Sequence, residues 1–446
     1  MNPRFHAPAS PPRRQRGSVL IIVMWICVGL VALVLYFAGS MSAELRAADN
    51  RAAEISARQA AAGGMRYAAC ILKNYASGGA VPDPAGDYLS EALPVGDATF
   101  WFIGRGPNAA PASQPVFGLV DEASKLNLNT ATSSMLQALP GMTPDLAEAI
   151  IEWRTSQSGS SADGAYAAMD PPRRNKGSSF ETTDELRLVN GAALDLLLGE
   201  DTNRNGALDS NEDDGDASPP RDNQDGLLQP GLLEYVTAFS RQPNFQSSGS
   251  SKVNITTSAL RGSLSTLLQR RFGETRAAAI LANIGSRTFS SVAEFMVASQ
   301  MTAAEFVQVH TDLTASTSRY TNGLVNVNTA GATVLACIPG IGSDNAAAMV
   351  AYRTAHSDEL TSLAWIRQVL TTAAITTAGP YITDQSYQFS ADIAAVGPNG
   401  RGYCREKVVF DTSGGTPRII YHQDLSQYGW ALGTQARQNL HSSTSS

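Results

Sequence analysis

The chain has 446 residues, 43% hydrophobic and 16% charged, with a formal net charge of −7. That length exceeds one simple core and calls for two to four structural units. With 40 acidic against 33 basic residues, the balance argues against nucleic acid or an anionic lipid surface as the main partner.

In chain order, residues 1–17 carry Arg4, Arg13, Arg14 and Arg16 and end in Gly17. No charge follows until Glu44, and Val19 to Phe37 is apolar or glycine throughout. These 19 residues, at about 1.5 Å each, make about 28 Å of helix, enough to cross a hydrocarbon core. A membrane helix over 18–40 is therefore expected. The arginines before it place residues 1–17 in the cytoplasm and the bulk outside. A cleaved secretory signal is the alternative, with Ala38, Gly39, Ser40, Ser42 and Ala43 as a processing site. Its apolar region is usually about 7–15 residues long, shorter than this run. The helical pattern also continues: Glu44, Arg46, Asp49, Arg51, Glu54 and Arg58 interleave with alanines, and no proline intervenes until Pro82. One helix of more than fifty residues, half in lipid and half in water, is the expectation.

Strands are expected at 98–106 and 114–129, and again at 386–396, 402–411 and 418–425, as neighbours in one sheet. The fold class is α+β: a long N-terminal helix on an antiparallel sheet, with a large all-α insertion. The divisions are 1–17 leader, 18–40 membrane helix, 41–124 first part of the sheet domain, 125–250 and 251–380 the two halves of the insertion, 381–432 the C-terminal strands, and 433–446 a disordered tail.

The insertion repeats. LNLNTATSSMLQALPGMTPDLAEAIIEWR (126–154) aligns without gaps to VNVNTAGATVLACIPGIGSDNAAAMVAYR (325–353), with 11 of 29 positions identical. A weaker start, VNITTSAL, stands at 253–260. The Asn-x-Asn-Thr-Ala segment closes an extended stretch and caps a helix. Pro-Gly then turns the chain, and Asp145 or Asp344 sits near the positive end of a second helix. Each copy reads as a helix-hairpin-helix, in the SAM-like manner. Such hairpins can bind phosphate through backbone amides. Here Asp344 follows PGIG (339–342) closely, Asp145 and Glu148 flank PGMT, and no Lys or Arg lies between Leu324 and Arg353. Structural packing is the stronger reading, and a DNA-binding role the weaker.

The most chemically specific segment is EDTNRNGALDSNEDDGDASPPRDNQDG (200–226), with nine acids against Arg204 and Arg221. Within it Asp201, Asn203, Asn205, Ala207, Asp209 and Glu212 fit an EF-hand calcium loop, with Gly206 at the sixth position. Alternate side-chain oxygens turn inward, glycine permits the sharp turn, Ala207 offers its carbonyl, and Glu212 closes the cage. A structural Ca2+ is expected, bound weakly at about 10⁻⁴ to 10⁻³ M as in extracellular modules. The rival reading is a solvated acidic linker. Asp214, Asp216, Asp222 and Asp225 are candidates for a second ion. The five histidines are far apart, and no HExxH, GxSxG or Walker loop occurs, so no enzyme activity is expected. Cys70 and Cys404 are candidates for a disulfide in an oxidising compartment, with free thiols the alternative.

The basic leader ending in Gly17 and running straight into a long helix resembles type IV prepilins and the pseudopilins of type II secretion. The paired NxNTA-helix-PG-helix-R units resemble the inserted domain of the K-type minor pseudopilins, the general secretion pathway protein K family. The resemblance implies a pilin-like fold, cleavage by prepilin peptidase at Gly17–Ser18, and methylation of Ser18. The glutamate that most members carry five residues into the mature chain is replaced here by Ile22, as in K subunits. It further implies an inner-membrane protein with a periplasmic head that caps the pseudopilus tip and nucleates its assembly. Its partners would be the I and J minor subunits, the major pseudopilin, and secreted substrates or the secretin. The alternatives are a minor pilin of a type IV pilus or competence system, and a membrane-tethered DNA receptor.

Overall fold

The computed structural model describes residues 18–105, 114–155, 161–246, 248–257 and 261–442. The leader and Gly17 lie outside these. A single helix, α1, runs from Ser18 to Tyr75. Residues 19–52 are all exposed, and the segment from Val19 is long and apolar enough to cross a membrane. Burial begins at Ala53 and recurs at Ala57, Ala60, Ala61, Ala68 and Leu72, a stripe at helical spacing that faces the sheet. Small residues let the helix lie close. A Cβ on Gly64 would stand 3.0 Å from both Ile393 Cγ2 and Phe100 Cδ2, and one on Gly63 would stand 3.3 Å from Val95 Cγ2.

The sheet is antiparallel, in the order Leu93–Val95, Ala98–Ile103, Gln388–Val396, Tyr403–Asp411, Arg418–Asp424. Its central strand thus comes from the far end of the chain, with Ala394 opposite Trp101 and Ala395 opposite Cys404. Alternation along the strands divides the two faces. Phe100, Phe102, Phe389, Ile393, Val408 and Phe410 pack under α1. Trp101, Ile103, Ala394 and Val396 pack under Ala431 and Leu432 on the other face.

Four strands form close to the expected places, but two expectations fail. The stretch 114–129 is not one strand: Phe117 makes a single bridge to Ile103, Val120–Asp121 pairs with Phe389 and Ser390, and a 3-10 turn follows at Glu122–Ser124. The Asp121 carboxylate accepts the Ala123 N–H at 2.8 Å and turns the chain out of the sheet. The supposed disordered tail is helical over Gly433–Ser442, because Ala431 and Leu432 anchor it to the sheet and Trp430 Nε1 donates to the Gly433 carbonyl. Residues 443–446 lie outside the described set. All four cysteines are free; Cys70 is exposed and Cys404 buried.

The chain leaves the sheet at Asp121 and returns at Gln388. The insertion between has one continuous core, in which Leu136, Phe295, Phe306 and Leu335 are all fully buried, so the halves 125–250 and 251–380 share it. It contains three units of one design. Each opens on a two-residue strand (Leu126–Asn127, Val253–Asn254, Val325–Asn326) that pairs in parallel with the strand closing the unit (Val236–Thr237, Leu313–Thr314, Ile382–Thr383). Between them lie the two hairpin helices: Ser133–Gln137 with Pro144–Thr155, Ala332–Ala336 with Gly342–Ala355, and, in the middle unit, Arg261–Ile284 broken at Gly273.

Candidate functional site

Each unit is locked by the same polar contacts. The opening asparagine accepts the N–H two residues on, at 2.8 Å for Asn127, 2.8 Å for Asn254 and 2.9 Å for Asn326. Its amide then donates into the segment after the closing strand, to Ser240, Ser316 and Ser386. Arg154 donates to the carbonyls of Leu128 and Ala131, and Arg353 to those of Val327 and Ala330. These arginines hold the turn that caps their own unit. The hairpin glycines are covered as well. A Cβ on Gly141 would meet Leu196 Cδ1 at 2.7 Å, and one on Gly340 would meet Thr377 Cβ at 2.8 Å. The hairpins are therefore packing elements, the groups that recur between copies turned inward.

The acidic loop departs from this scaffold. Helix Leu194–Leu198 ends at Gly199, where a Cβ would stand 2.3 Å from the Gln229 carbonyl; no other residue fits. The loop then folds on itself. Asp201 accepts the N–H groups of Asn205 and Gly206, both at 2.9 Å. Asn203 accepts the N–H of Asn205 at 3.0 Å, and Asn205 that of Ala207 at 2.8 Å. Asp209 Oδ2 receives the amides of Asn203 (2.6 Å) and Asn205 (3.0 Å). Glu212 spans the ends, accepting from Thr202 N and Asp209 N, both at 3.1 Å. Gly206 has φ +73, as the sixth position requires. All six expected residues thus belong to one tight turn.

The remaining acids behave differently. Asp222 accepts from Asp214 N and Gly215 N, Asp214 from Ser218, and Asp225 from Leu227 N, while Asp216 is exposed beside Arg221. Asp214, Asp222 and Asp225 are thus turned onto backbone N–H groups of the segment itself. Among the described residues, no group of three or more His, Cys, Asp and Glu is set to hold a metal by such side chains alone. The candidate cage accordingly depends on Asn oxygens and the Ala207 carbonyl together with its three carboxylates.

Electrostatics single out this turn. Burial pushes the Glu212 carboxyl up to about 8, reinforced by the charges of Asp201 and Asp209. Burial also raises Asp201, although Arg105 acts in the opposite sense. Two arginines that the sequence reading missed hold the turn from outside. Arg405, on the strand Tyr403–Asp411, is fully buried and pairs with Asp392, donating from Nε at 2.8 Å and from a terminal nitrogen at 2.6 Å. It also donates to the carbonyls of Asn203 and Arg204. Arg105, just past the strand Ala98–Ile103, donates from Nε to both oxygens of Glu234 at 2.9 Å and from a terminal nitrogen to the Arg204 carbonyl at 2.9 Å. Against its own burial, Glu234 is held down to about 2 by Arg105. Nothing in the sequence near 105 or 405 signals this, because both partners are remote in the chain.

The fold and site define an α+β protein built on one long N-terminal helix, apolar in its first part, and carrying a helix-hairpin-helix insertion. A profile of the helix-hairpin-helix motif matches residues 121–159 and 321–367, the first and third units. No curated protein matches the chain. Among solved structures, it is similar to a chain in the crystal structure of the GspK-GspI-GspJ complex from the enterotoxigenic Escherichia coli type 2 secretion system. The identity is 12%, the coverage 86% of this chain and 98% of that one, and the TM-score 0.35.

Proposed function

We propose that the chain is a K-type minor pseudopilin of a type II secretion machine. The observation that carries this reading is α1 together with its load. Its first half is apolar and wholly exposed, its second half packs on an antiparallel sheet, and a large insertion rides on that sheet. A helix of this kind is suited to bundle with sibling helices in the membrane through small residues. The insertion is too bulky to be repeated at every level of a regular fibre, which favours the tip, with the I and J subunits as neighbours and the major pseudopilin below. Ile22 suits a subunit with no partner amine at its level, since a carboxylate there would be costly in lipid unless paired. Residues 1–17 would be the cytoplasmic leader, cut by prepilin peptidase after Gly17, with Ser18 methylated and the bulk periplasmic. The role is structural, in assembly and export, with secreted substrates or the secretin as further contacts.

We also propose that the turn Asp201–Glu212 binds Ca2+. Asp201, Asn203, Asn205, Asp209 and Glu212 would supply side-chain oxygens and Ala207 its carbonyl. Their chemistry fits a hard cation: all donors are oxygen, and three carboxylates share one small turn. The nearest guanidiniums each face a carboxylate of their own. The ion would neutralise the turn and set its shape.

Mass spectrometry of the chain isolated from membranes tests the assignment. The expected N-terminus is methylated Ser18, with I and J subunits co-purifying. A soluble chain beginning near residue 40 would overturn it, and pilus or competence proteins in place of I and J would move the chain to that class.

A further inference from the structure

Arg405 and Arg105 are placed to do more than form ion pairs. Each uses one part of its fork on a dedicated acid, Asp392 or Glu234, and turns another part to the loop backbone: Arg405 to the carbonyls of Asn203 and Arg204, Arg105 to that of Arg204. Those carbonyls lie between the third and fifth positions of the candidate cage, where the backbone must reverse so that both Asn side chains face inward. Arg204 itself adopts φ 57, a left-handed conformation that a side-chain-bearing residue holds only when its surroundings impose it. Arg105 also backs the turn directly, since a Cβ on Gly206 would stand 3.1 Å from its Cδ. Further ties run from the same segment to the C-terminal region. The Asn203 amide donates to the Trp430 carbonyl at 3.3 Å, and the Arg204 guanidinium lies 5.9 Å from the centre of the Tyr428 ring. The turn is thus shaped from behind by residues of the sheet and its edges, and it is one of the insertion's polar attachments to the sheet.

We propose that the loop 201–212 is the clasp that fastens the helical insertion to the sheet, with Arg405 and Arg105 as positioning residues, so that binding of a divalent cation and docking of the insertion form one linked equilibrium. The inference rests on the calcium reading above and adds to it the coupling. The physical reason is reciprocity. If the sheet arginines hold the carbonyls in the orientation that the cage needs, the ion binds the docked form more tightly, and it must then stabilise docking by the same factor. Outer partners that orient ligands in this way typically change metal affinity 10- to 100-fold when altered.

The test uses the full-length chain in detergent, with calcium chloride or a chelator. Two quantities are read: calcium affinity by titration calorimetry, and amide hydrogen exchange at the strand Tyr403–Asp411. In the unaltered chain, calcium should slow exchange in that strand as well as in the loop. Arg105→Lys keeps the charge but loses the fork, and should weaken calcium binding by about 10-fold or more and reduce the calcium-dependent protection of the strand. Arg405→Lys should do the same more strongly. Unchanged calcium affinity in Arg105→Lys, or protection confined to the loop's own amides, would overturn the coupling while leaving the metal site standing. An unaltered chain that shows no calcium response in either readout would remove the metal reading, and the coupling with it.

Discussion

The first and third helix-hairpin-helix units follow the same path but diverge at one point. In the third, helix Thr372–Ala378 passes through Gly379, Pro380 and Tyr381 directly into the closing strand at Ile382. In the first, helix Leu194–Leu198 reaches Gly199, and the whole acidic segment intervenes before Leu232 and the closing strand at Val236. The hydrogen bond from Gly231 N to the Leu198 carbonyl closes the base of that excursion at 2.9 Å, so the scaffold continues as though nothing had been added. The comparison teaches where a repeat tolerates chemistry: at a connection whose ends are already adjacent, where a long loop has little closure cost. The excursion of that unit is also gripped by the sheet-side arginines Arg105 and Arg405.

The largest effects should come from the shared core. Leu136→Ala and Leu335→Ala remove equivalent, fully buried side chains, and each should cost about 2–5 kcal/mol in denaturant unfolding. A loss confined to one unit, seen as a second transition, would break the view that the insertion has one core. The unit arginines should differ. Arg353 is almost wholly buried and Arg154 only partly so. Arg353→Met should therefore cost about 2–3 kcal/mol and Arg154→Met about 1 kcal/mol. Equal losses would mean that burial does not separate the two.

Replacing residues 200–231 with the short passage of the third unit should leave the insertion helical while abolishing any calcium response. The melting temperature should fall by about 2–8 °C as Arg105 and Arg405 lose their carbonyl acceptors. A chain that fails to fold would show that the excursion is integral to the unit. pH offers a subtler probe. With chelator present, Glu212 holds its proton up to about 8 in the folded chain, against about 4.3 in an unfolded one. The folded state binds the extra proton between these values, so its stability from this group falls as pH rises through that window. Calcium should flatten the fall, and its affinity should rise with pH. The smallest effect is expected at Asp216→Asn, an exposed acid outside the turn. It should change stability by no more than about 0.5 kcal/mol and leave calcium affinity unaltered, in contrast to Asp201→Asn.

Much of the candidate site could be read in advance because its spacing is local. Twelve consecutive residues place the oxygens, and Gly206 marks the turn among them. The residues that grip the turn come from strands far away in the chain, and Arg105 and Arg405 stand in segments with no distinguishing pattern. The middle unit is only weakly marked in the sequence, by stretches such as VNITTSAL, because its hairpin lacks Pro-Gly and relies on Gly273 within a run of helix formers. A usable signal did exist: Val-Thr, Leu-Thr and Ile-Thr recur at 236–237, 313–314 and 382–383 as the closing strands. The strand expected over 114–129 failed for a different reason. Its alternating apolar residues serve two sheets in turn, and Asp121 breaks the run between them.

Periodicity and short spacings alone were enough to specify the long helix with its apolar first part, most of the sheet strands, the repeated hairpins and the twelve-residue acidic turn, since each depends on neighbours within a few turns of chain. Folding in three dimensions chose which face of α1 is covered, brought the last strands into the middle of the sheet, and set two buried arginines behind the turn. Those outcomes depend on packing and on pairing between charges remote along the chain, which no local pattern encodes.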